Sequence, residues 1–222
     1  MGRPRATPLI DQDVEPRDVI LDAAARLFTS LGFSAASTRQ IAADAGLRQA
    51  SLFHYFPKKD DILAELLDLT LQPSLDFAEQ LAAVDAPPDA ALYLLVLRDV
   101  QTLCRGPGNL GSLQLQPYAQ RPQFAEFWVR RDRLRREYLR LIDAGRHAQV
   151  FDVSDSDLAT SIVFGMVEGI TTWFSHDLPQ APSEIWRGVA DHALKGLLSD
   201  PRRLPEVRRR ASEIGQTLDE QP

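Results

Sequence analysis

The sequence of 222 residues predicts an all-α fold. Apolar residues recur three and four positions apart in nearly every segment, which is the spacing of side chains on one face of a helix. Alternation of apolar and polar residues, which marks a half-buried strand, does not persist through any segment of the sequence. Glycine and proline fall between the periodic segments, where helices end.

The composition is typical of a water-soluble protein with a sizeable core. Apolar residues make up 44% of the chain, and the net charge is -6. Cys104 is the only cysteine, so an intrachain disulfide cannot form. The sequence contains neither the apolar core of a signal peptide nor a stretch of about 18 uncharged apolar residues. We therefore expect a reduced, cytoplasmic protein with no membrane partner and no cofactor.

The first two predicted helices are defined by their start and stop signals. The first begins near residue 17 and ends at Gly32. The second begins at Ser37, which stands three residues before Gln40 in the capping-box spacing, and ends at Gly46. The second helix is therefore only about two turns long.

The third predicted helix lies in the stretch "LRQASLFHYFPKKDD" and is ended by Pro57. Two short helices joined by a glycine-containing turn are typical of a helix-turn-helix. Leu52, Phe53 and Phe56 are three and four positions apart, and we expect them to hold this helix down as its buried face. The polar side chains of the helix would then point outward.

The same stretch is basic within an acidic chain. Between residues 39 and 59 four basic residues stand against one acid, Asp44. Lys58 and Lys59 fall at the start of a helix, where the dipole disfavours cations, and so indicate an external anion such as DNA phosphate. A capped helix pair with a solvated basic edge explains the same pattern, and these residues alone leave both interpretations open.

The segment "ILDAAARLFTSLGFSAASTRQIAADAGLRQASLFHYFPKKDDILAELL" resembles the N-terminal domain of the TetR family of bacterial transcriptional regulators. The resemblance covers about residues 17–67 without a gap. It includes Gly32-Phe33, Ala45-Gly46-Leu47 and the Leu-aromatic-x-aromatic-Phe-Pro-x-Lys run. It implies a homodimeric repressor that binds a palindromic DNA operator and has a helical C-terminal domain that binds a small-molecule inducer.

By position, the resemblance assigns DNA contacts to both short helices. Phe53 departs from the family pattern, because a tyrosine that reaches the DNA backbone is usual there. Arg48 and Lys58 stand where the family usually has capping residues, and we interpret these two cations as replacing the contact that Phe53 cannot make. The predicted DNA-binding residues are Ser37, Thr38, Arg39, Arg48, Gln49, Ala50, Ser51, His54, Tyr55, Lys58 and Lys59.

The predicted organisation is an N-terminal three-helix helix-turn-helix DNA-binding domain followed by a helical ligand-binding and dimerisation domain. A linking helix over residues 60–84, kinked near Pro73, opens the second domain. The predicted boundaries are 1–16 for a flexible basic arm, 17–60 for the DNA-binding domain, 61–200 for the second domain and 201–222 for a tail with helical spacing.

A wide apolar stripe near residues 158–174 is predicted to dimerise. It is broad enough to face both a core and a partner, although core packing alone explains it as well. The residues of this stripe are Leu158, Ile162, Met166, Ile170 and Phe174.

Bulky side chains of the second domain are candidates for a ligand cavity. Their aromatic and apolar character favours a hydrophobic or aromatic inducer. The candidates are Tyr93, Leu97, Cys104, Tyr118, Phe124, Phe127, Trp128, Tyr138, Phe164 and Trp173.

Catalysis is not indicated by the sequence. The four histidines are scattered and stand at no metal-ligand spacing, and the glycine-rich "RGPGNLG" follows no strand. We therefore expect neither an enzyme nor a metal site. A DNA-binding protein that acts without a ligand, as an architectural or constitutive factor, remains an alternative.

The N-terminal sequence "MGRPR" generates a first prediction. Short, extended, basic segments enter A·T-rich minor grooves. Deleting residues 1–6 should weaken binding several-fold at operators flanked by A·T pairs, measured by fluorescence anisotropy. Unchanged affinity would instead indicate a disordered terminus that carries two arginines.

Overall fold

A computed structural model of the protein describes residues 15–104 and 110–219, and within these ranges the predicted all-α fold is confirmed. The described chain holds four short 3-10 helices and one isolated β-bridge, between Phe151 and Leu198, besides its α-helices. The α-helices are α1 Pro16–Leu31, α2 Thr38–Asp44, α3 Gln49–Tyr55, α4 Lys59–Leu69, α5 Gln72–Ala82, α6 Pro88–Leu103, α7 Ala125–His147, α8 Ser156–Trp173, α9 Pro182–Lys195 and α10 Leu204–Asp219.

The chain divides into two compact units, and the division falls within α4, between Leu66 and Leu67. The predicted arm as far as residue 14, and residues 105–109 of the glycine-rich segment, lie outside the described residues. No helix of the described ranges is both long enough and apolar enough to cross a membrane.

The first unit contains α1, α2, α3 and most of α4. The backbone turns between its helices as the sequence predicts, with Gly32 at φ 82° after α1 and Gly46 at φ 67° after α2. Glycine adopts such positive φ values without the steric cost that a side chain adds. The capping box is also confirmed, because Ser37 N–H donates to Gln40 Oε1 at 2.9 Å and Gln40 N–H donates to Ser37 Oγ at 3.2 Å.

Residues 60–84 form two helices rather than the single kinked helix that the sequence suggested. α4 ends at Leu69 and α5 begins at Gln72, with Pro73 in its first turn. Proline is tolerated there because the N–H groups of a first turn have no partner within the helix. Pro73 therefore starts a helix instead of bending one. Arg130 of α7 spans the break, because its guanidinium donates to Asp68 of α4 and to Gln72 of α5.

The second unit is built around α6, which contacts α5, α7, α8, α9 and α10. Most of its sixteen residues are buried, so it is covered on nearly every side. The predicted helical spacing of the tail is realised in α10, whose apolar face, including Val207 and Ala211, is buried. Arg208 of α10 also pairs with Asp191 of α9.

Gly145 in α7 marks a close approach between two elements and generates a prediction. A Cβ atom at this position would lie 2.1 Å from the ring of the buried Phe151. Gly145→Ala should therefore lower the free energy of unfolding by about 1–3 kcal/mol through overpacking. Gly188→Ala in α9 has open space around its Cβ and should raise it by about 0.5–1 kcal/mol. Urea denaturation at one fixed protein concentration measures both, and stabilisation by Gly145→Ala would contradict this packing.

Candidate DNA interface and internal cavity

α3 is the second helix of the helix-turn-helix and therefore its predicted recognition helix. It is held down by two side chains rather than three. Leu52 and Phe56 are 0% and 1% exposed, whereas Phe53 is 44% exposed, so the expectation that Phe53 anchors the helix is wrong. Successive residues turn by about 100° around a helix, so Phe53 points away from the line through Leu52 and Phe56. It lies instead on the same face as Gln49, one turn earlier.

The outward face of α3 is joined to the start of α2. Gln49 Nε2 donates to Thr38 Oγ1 at 3.0 Å, which orients the amide at the first residue of α3. Ala50 follows and is exposed, and Ser51 is half-buried. An oriented amide beside small side chains leaves room for base edges, which glutamine can read through its paired donor and acceptor.

The two adjacent lysines have different surroundings. Lys59 Nζ donates to the carbonyls of Phe33 and Ala36, at 2.6 and 2.8 Å, and lies 4.2 Å from the centre of the Phe33 ring. Lys59 therefore ties the start of α4 to the segment before α2. Its ammonium is engaged within the protein, which weakens its assignment as a phosphate ligand.

Lys58 keeps its ammonium on the surface. Its backbone N–H donates to Asp61 Oδ2 at 2.8 Å, and Asp60 and Asp61 place negative charge in the first turn of α4. These carboxylates already complement the helix dipole. Lys58 and the neighbouring arginines, rather than the pair of lysines, are therefore the cations that an external anion would meet.

Three exposed cations without an ion pair in the described ranges lie on or beside the two short helices. Among the described residues, Arg39, Arg48 and Lys58 are exposed and form no ion pair. Arg48 precedes α3 and makes no side-chain capping bond. Asp44, the one acid between residues 39 and 59, is neutralised by Arg26 at 2.7 Å. The surface that carries the predicted base-reading residues is therefore positive. Of the remaining predicted contacts, His54 is exposed, Tyr55 is half-buried, and their rings meet edge-to-face at 5.4 Å.

The second unit contains a small cavity of about 10 Å³, lined by the break between α4 and α5, by α6, α7 and α8, and by the 3-10 helix Leu110–Leu115. This volume is enough for about one water molecule. Half of its lining residues are polar or charged, although aromatic rings contribute as well. The lining residues are Thr70, Leu71, Asp99, Leu103, Gln114, Phe127, Arg131, Leu134, Phe164 and Glu168.

Asp99 of α6 is the centre of this polar cluster. Its carboxylate accepts hydrogen bonds from Ser74 Oγ at 3.0 Å and from Tyr138 Oη at 2.8 Å. Burial raises the pKa of Asp99 to about 7, against the lowering effect of those two bonds. Burial and the neighbouring Asp99 also raise the pKa of Tyr138. Beside them Arg131 and Glu168 form a two-pronged ion pair.

Few of the predicted ligand-binding side chains reach this cavity. Phe127 and Phe164 line it, and Tyr138 supports Asp99 beside it. Trp173 is 53% exposed. The other six lie elsewhere in the packing of the second unit, with Leu97 and Trp128 half-buried and Tyr93, Cys104, Tyr118 and Phe124 buried.

Sequence reasoning missed the polar half of the cavity. Asp99, Gln114, Arg131 and Glu168 line the cavity but are not among the predicted residues, which are mostly bulky and aromatic. A usable signal was present, since Glu168 is the only charged residue between residues 158 and 174. A carboxylate within an apolar helix is rarely buried without a partner.

The exposed apolar face of α8 differs from the predicted stripe. Leu158 and Ile162 are each 58% exposed and Met166 is 40% exposed, whereas Ile170 and Phe174 lie in the core. Side chains four positions apart are rotated by about 40° around a helix. A row of residues spaced four positions apart therefore passes gradually from the surface of the protein into the core. Trp173 joins the exposed face instead. A groove of about 240 Å³ between α8 and α9 adjoins it.

Comparison with known proteins gives matches over both units. The family described as "Bacterial regulatory proteins, tetR family" matches residues 20–66, and "Tetracyclin repressor-like, C-terminal domain" matches residues 87–197. The crystal structure of Mycobacterium smegmatis AmtR is 34% identical, has a TM-score of 0.76, and is matched over 96% of this chain and 98% of that chain.

Two further matches are more distant. The transcriptional repressor KstR2 of Mycobacterium tuberculosis is 28% identical over 165 residues, which are 72% of this chain and 78% of that protein. AibR, solved with isovaleryl coenzyme A and operator DNA, is 21% identical with a TM-score of 0.66, and is matched over 83% of this chain and 98% of that chain. At that identity the likeness to AibR shows the fold alone.

A helix-turn-helix unit followed by a helical second unit defines a DNA-binding transcriptional regulator. The chain belongs to the TetR family of these regulators, whose two domain models together match most of its length. Its relatives are transcriptional regulators rather than enzymes. In the described ranges, no group of three or more histidine, cysteine, aspartate or glutamate side chains is placed to hold a metal ion.

The different surroundings of the lysines generate a prediction about salt dependence. Each phosphate contact that is lost makes the plot of log affinity against log salt concentration shallower by about one unit. Lys58→Ala should have this effect on operator binding, and Lys195→Ala, an exposed lysine of α9, should not. Fluorescence anisotropy at several salt concentrations measures the slopes, and equal slopes for the two variants would contradict the role of Lys58.

Proposed function

We propose that the protein is a cytoplasmic repressor that binds a palindromic DNA operator as a homodimer and is released by a small molecule. The observation that carries this proposal is the exposed, positive face of α2 and α3, where Gln49 is oriented by Thr38. Around it, Arg39, Arg48 and Lys58 have side chains available for phosphate. Membership of the TetR family supports the same assignment.

Homodimerisation is supported by the geometry of DNA reading and by α8. One short recognition helix reads only a few base pairs, and a twofold dimer places two such helices about one helical turn of DNA apart or more. Leu158, Ile162, Met166 and Trp173 expose a contiguous apolar face, which is unusual on a monomer. We propose that this face meets its symmetry mate in the dimer.

Release by a ligand requires two settings of the protein with different affinities for that ligand. We propose that the settings differ at the break between α4 and α5, which lies at Thr70 and Leu71 and adjoins the cavity. α4 continues from the first unit into the second, so a change there alters the separation of the two recognition helices in a dimer. The polar lining favours a polar ligand over the hydrophobic or aromatic inducer that the sequence suggested.

The small volume of the cavity, which leaves no room for a ligand in this conformation, supports a second candidate function, that of a ligand-independent DNA-binding factor. Such a factor would bind its operator with the same affinity in the presence and absence of every small molecule. The two functions share the DNA-binding surface and differ only in this response.

In vitro selection from random DNA tests the proposed function directly. The full-length protein should enrich a palindrome with two half-sites. Enrichment of a single half-site would contradict the dimer, and the absence of any enriched sequence would contradict sequence-specific binding.

The exposed face of α8 generates a prediction about assembly. Ile162→Glu should yield monomers in sedimentation equilibrium and lose most of the operator affinity, because a charge is placed within the proposed apolar contact. Val129→Glu is the matched control, because Val129 is 65% exposed on α7. It should leave both measurements unchanged. Dimers that persist with Ile162→Glu at micromolar concentration would exclude this face.

A further inference from the structure

The cavity of the second unit contains a buried hydrogen-bond donor without a partner. Gln114 is 4% exposed and lines the cavity, and its Nε2 has no hydrogen-bond partner among the described residues. Buried polar groups are nearly always paired, because an unpaired group has lost its hydration without compensation. An unpaired amide donor at a cavity therefore indicates a missing acceptor.

A buried acceptor lies in the lining of the same cavity. The two oxygens of Asp99 accept one hydrogen bond each, from Ser74 and Tyr138. A carboxylate has about four lone-pair sites, so it can accept a further N–H. A molecule in the cavity thus meets a donor, Gln114, and an acceptor, Asp99.

The charges around the cavity exclude an anionic ligand. Arg131 is the one cation in its lining, and both prongs of its guanidinium are engaged by Glu168. The Arg131 guanidinium also lies 4.9 Å from the centre of the Phe164 ring, which holds it in place. A ligand carboxylate would face Asp99 and Glu168 without a free cation to balance it. A fully cationic ligand would leave the Gln114 donor without an acceptor.

We propose that this cavity is the effector site and that it takes a compact, uncharged molecule in which a carbonyl adjoins an N–H group, as in an amide, urea or lactam. The carbonyl accepts from Gln114 Nε2, and the N–H donates to Asp99. The apolar walls of Phe127 and Leu134 contact the remaining atoms. As a statement about the effector, this rests on the proposed ligand-controlled regulator.

The size of the cavity explains how such a molecule controls DNA binding. At about 10 Å³ the cavity holds one water molecule and no amide, so binding requires an enlarged setting. Thr70 and Leu71, at the break between α4 and α5, belong to the lining that must move. The ligand then binds one setting only, which is the condition for an effector.

The experiment uses full-length protein and small probes that isolate the chemistry. Acetamide and 2-pyrrolidinone carry the adjacent carbonyl and N–H, whereas acetate, methylammonium and benzene test charge and apolarity. Ligand-observed NMR titration measures binding of each probe. The two amides should bind in the micromolar to millimolar range, with acetamide no tighter than roughly 40 µM for its few atoms. Saturating amide should weaken operator binding in fluorescence anisotropy.

Variants locate the site. Gln114→Leu should weaken binding of 2-pyrrolidinone about tenfold, because the donor is lost. Gln116→Leu, an exposed glutamine two residues away, is the matched control and should bind normally. Gln114→Glu, which keeps the size and replaces the donor with an acceptor, provides the same test if Gln114→Leu fails to fold.

Several outcomes overturn the proposal. These are preferential binding of acetate, methylammonium or benzene, no binding of either amide, amide binding that survives both Gln114 substitutions, or amide binding that leaves operator affinity unchanged. Operator binding of the probe-free protein is measured in parallel. If the probe-free protein binds its operator, any of these outcomes refutes the proposed ligand class alone. If the probe-free protein does not bind an operator, the proposed DNA-binding function is refuted.

Discussion

The burial of α6 is the constraint on which the second unit depends. A helix covered by five others must satisfy its polar side chains within the protein, because water does not reach them. Asp99 therefore recruits Ser74 from α5 and Tyr138 from α7. These bonds fix the rotation of both neighbours about α6. A single buried carboxylate thus joins three helices, and it also supplies an acceptor at the polar cavity.

The parts of the fold that local chemistry determines could be predicted from the sequence. Gly32, Gly46 and the pair Ser37 and Gln40 define helix ends through backbone conformation and capping, which need no distant partner. Phe53 could not be placed in this way, because a seven-residue helix offers too few turns for an apolar face to be read. Ile170 was misplaced for the opposite reason, since a long stripe drifts around its helix.

The residues of the candidate sites also differ in whether local geometry or distant packing determines their position. The outward position of Gln49 and Arg48 follows from helix geometry, and the sequence predicts it. The hydrogen bonds of Lys59 to Phe33 and Ala36 depend on how two segments distant in sequence pack together, and no spacing in the sequence predicts them. The polar cavity belongs to this second class, because each of its charged residues acquires its role from a partner on another helix.

Arg130 connects the two sides of the break between α4 and α5. Its guanidinium holds the last turn of one helix and the first residue of the next from a third helix, and it belongs neither to the DNA-reading face nor to the cavity lining. In the proposed mechanism, a stronger or weaker hold by Arg130 would alter the balance between the two settings without changing the proposed DNA contacts or the cavity lining. Substitutions at position 130 would therefore let evolution change the ligand concentration at which such a regulator responds, while the residues that contact DNA and ligand stay the same.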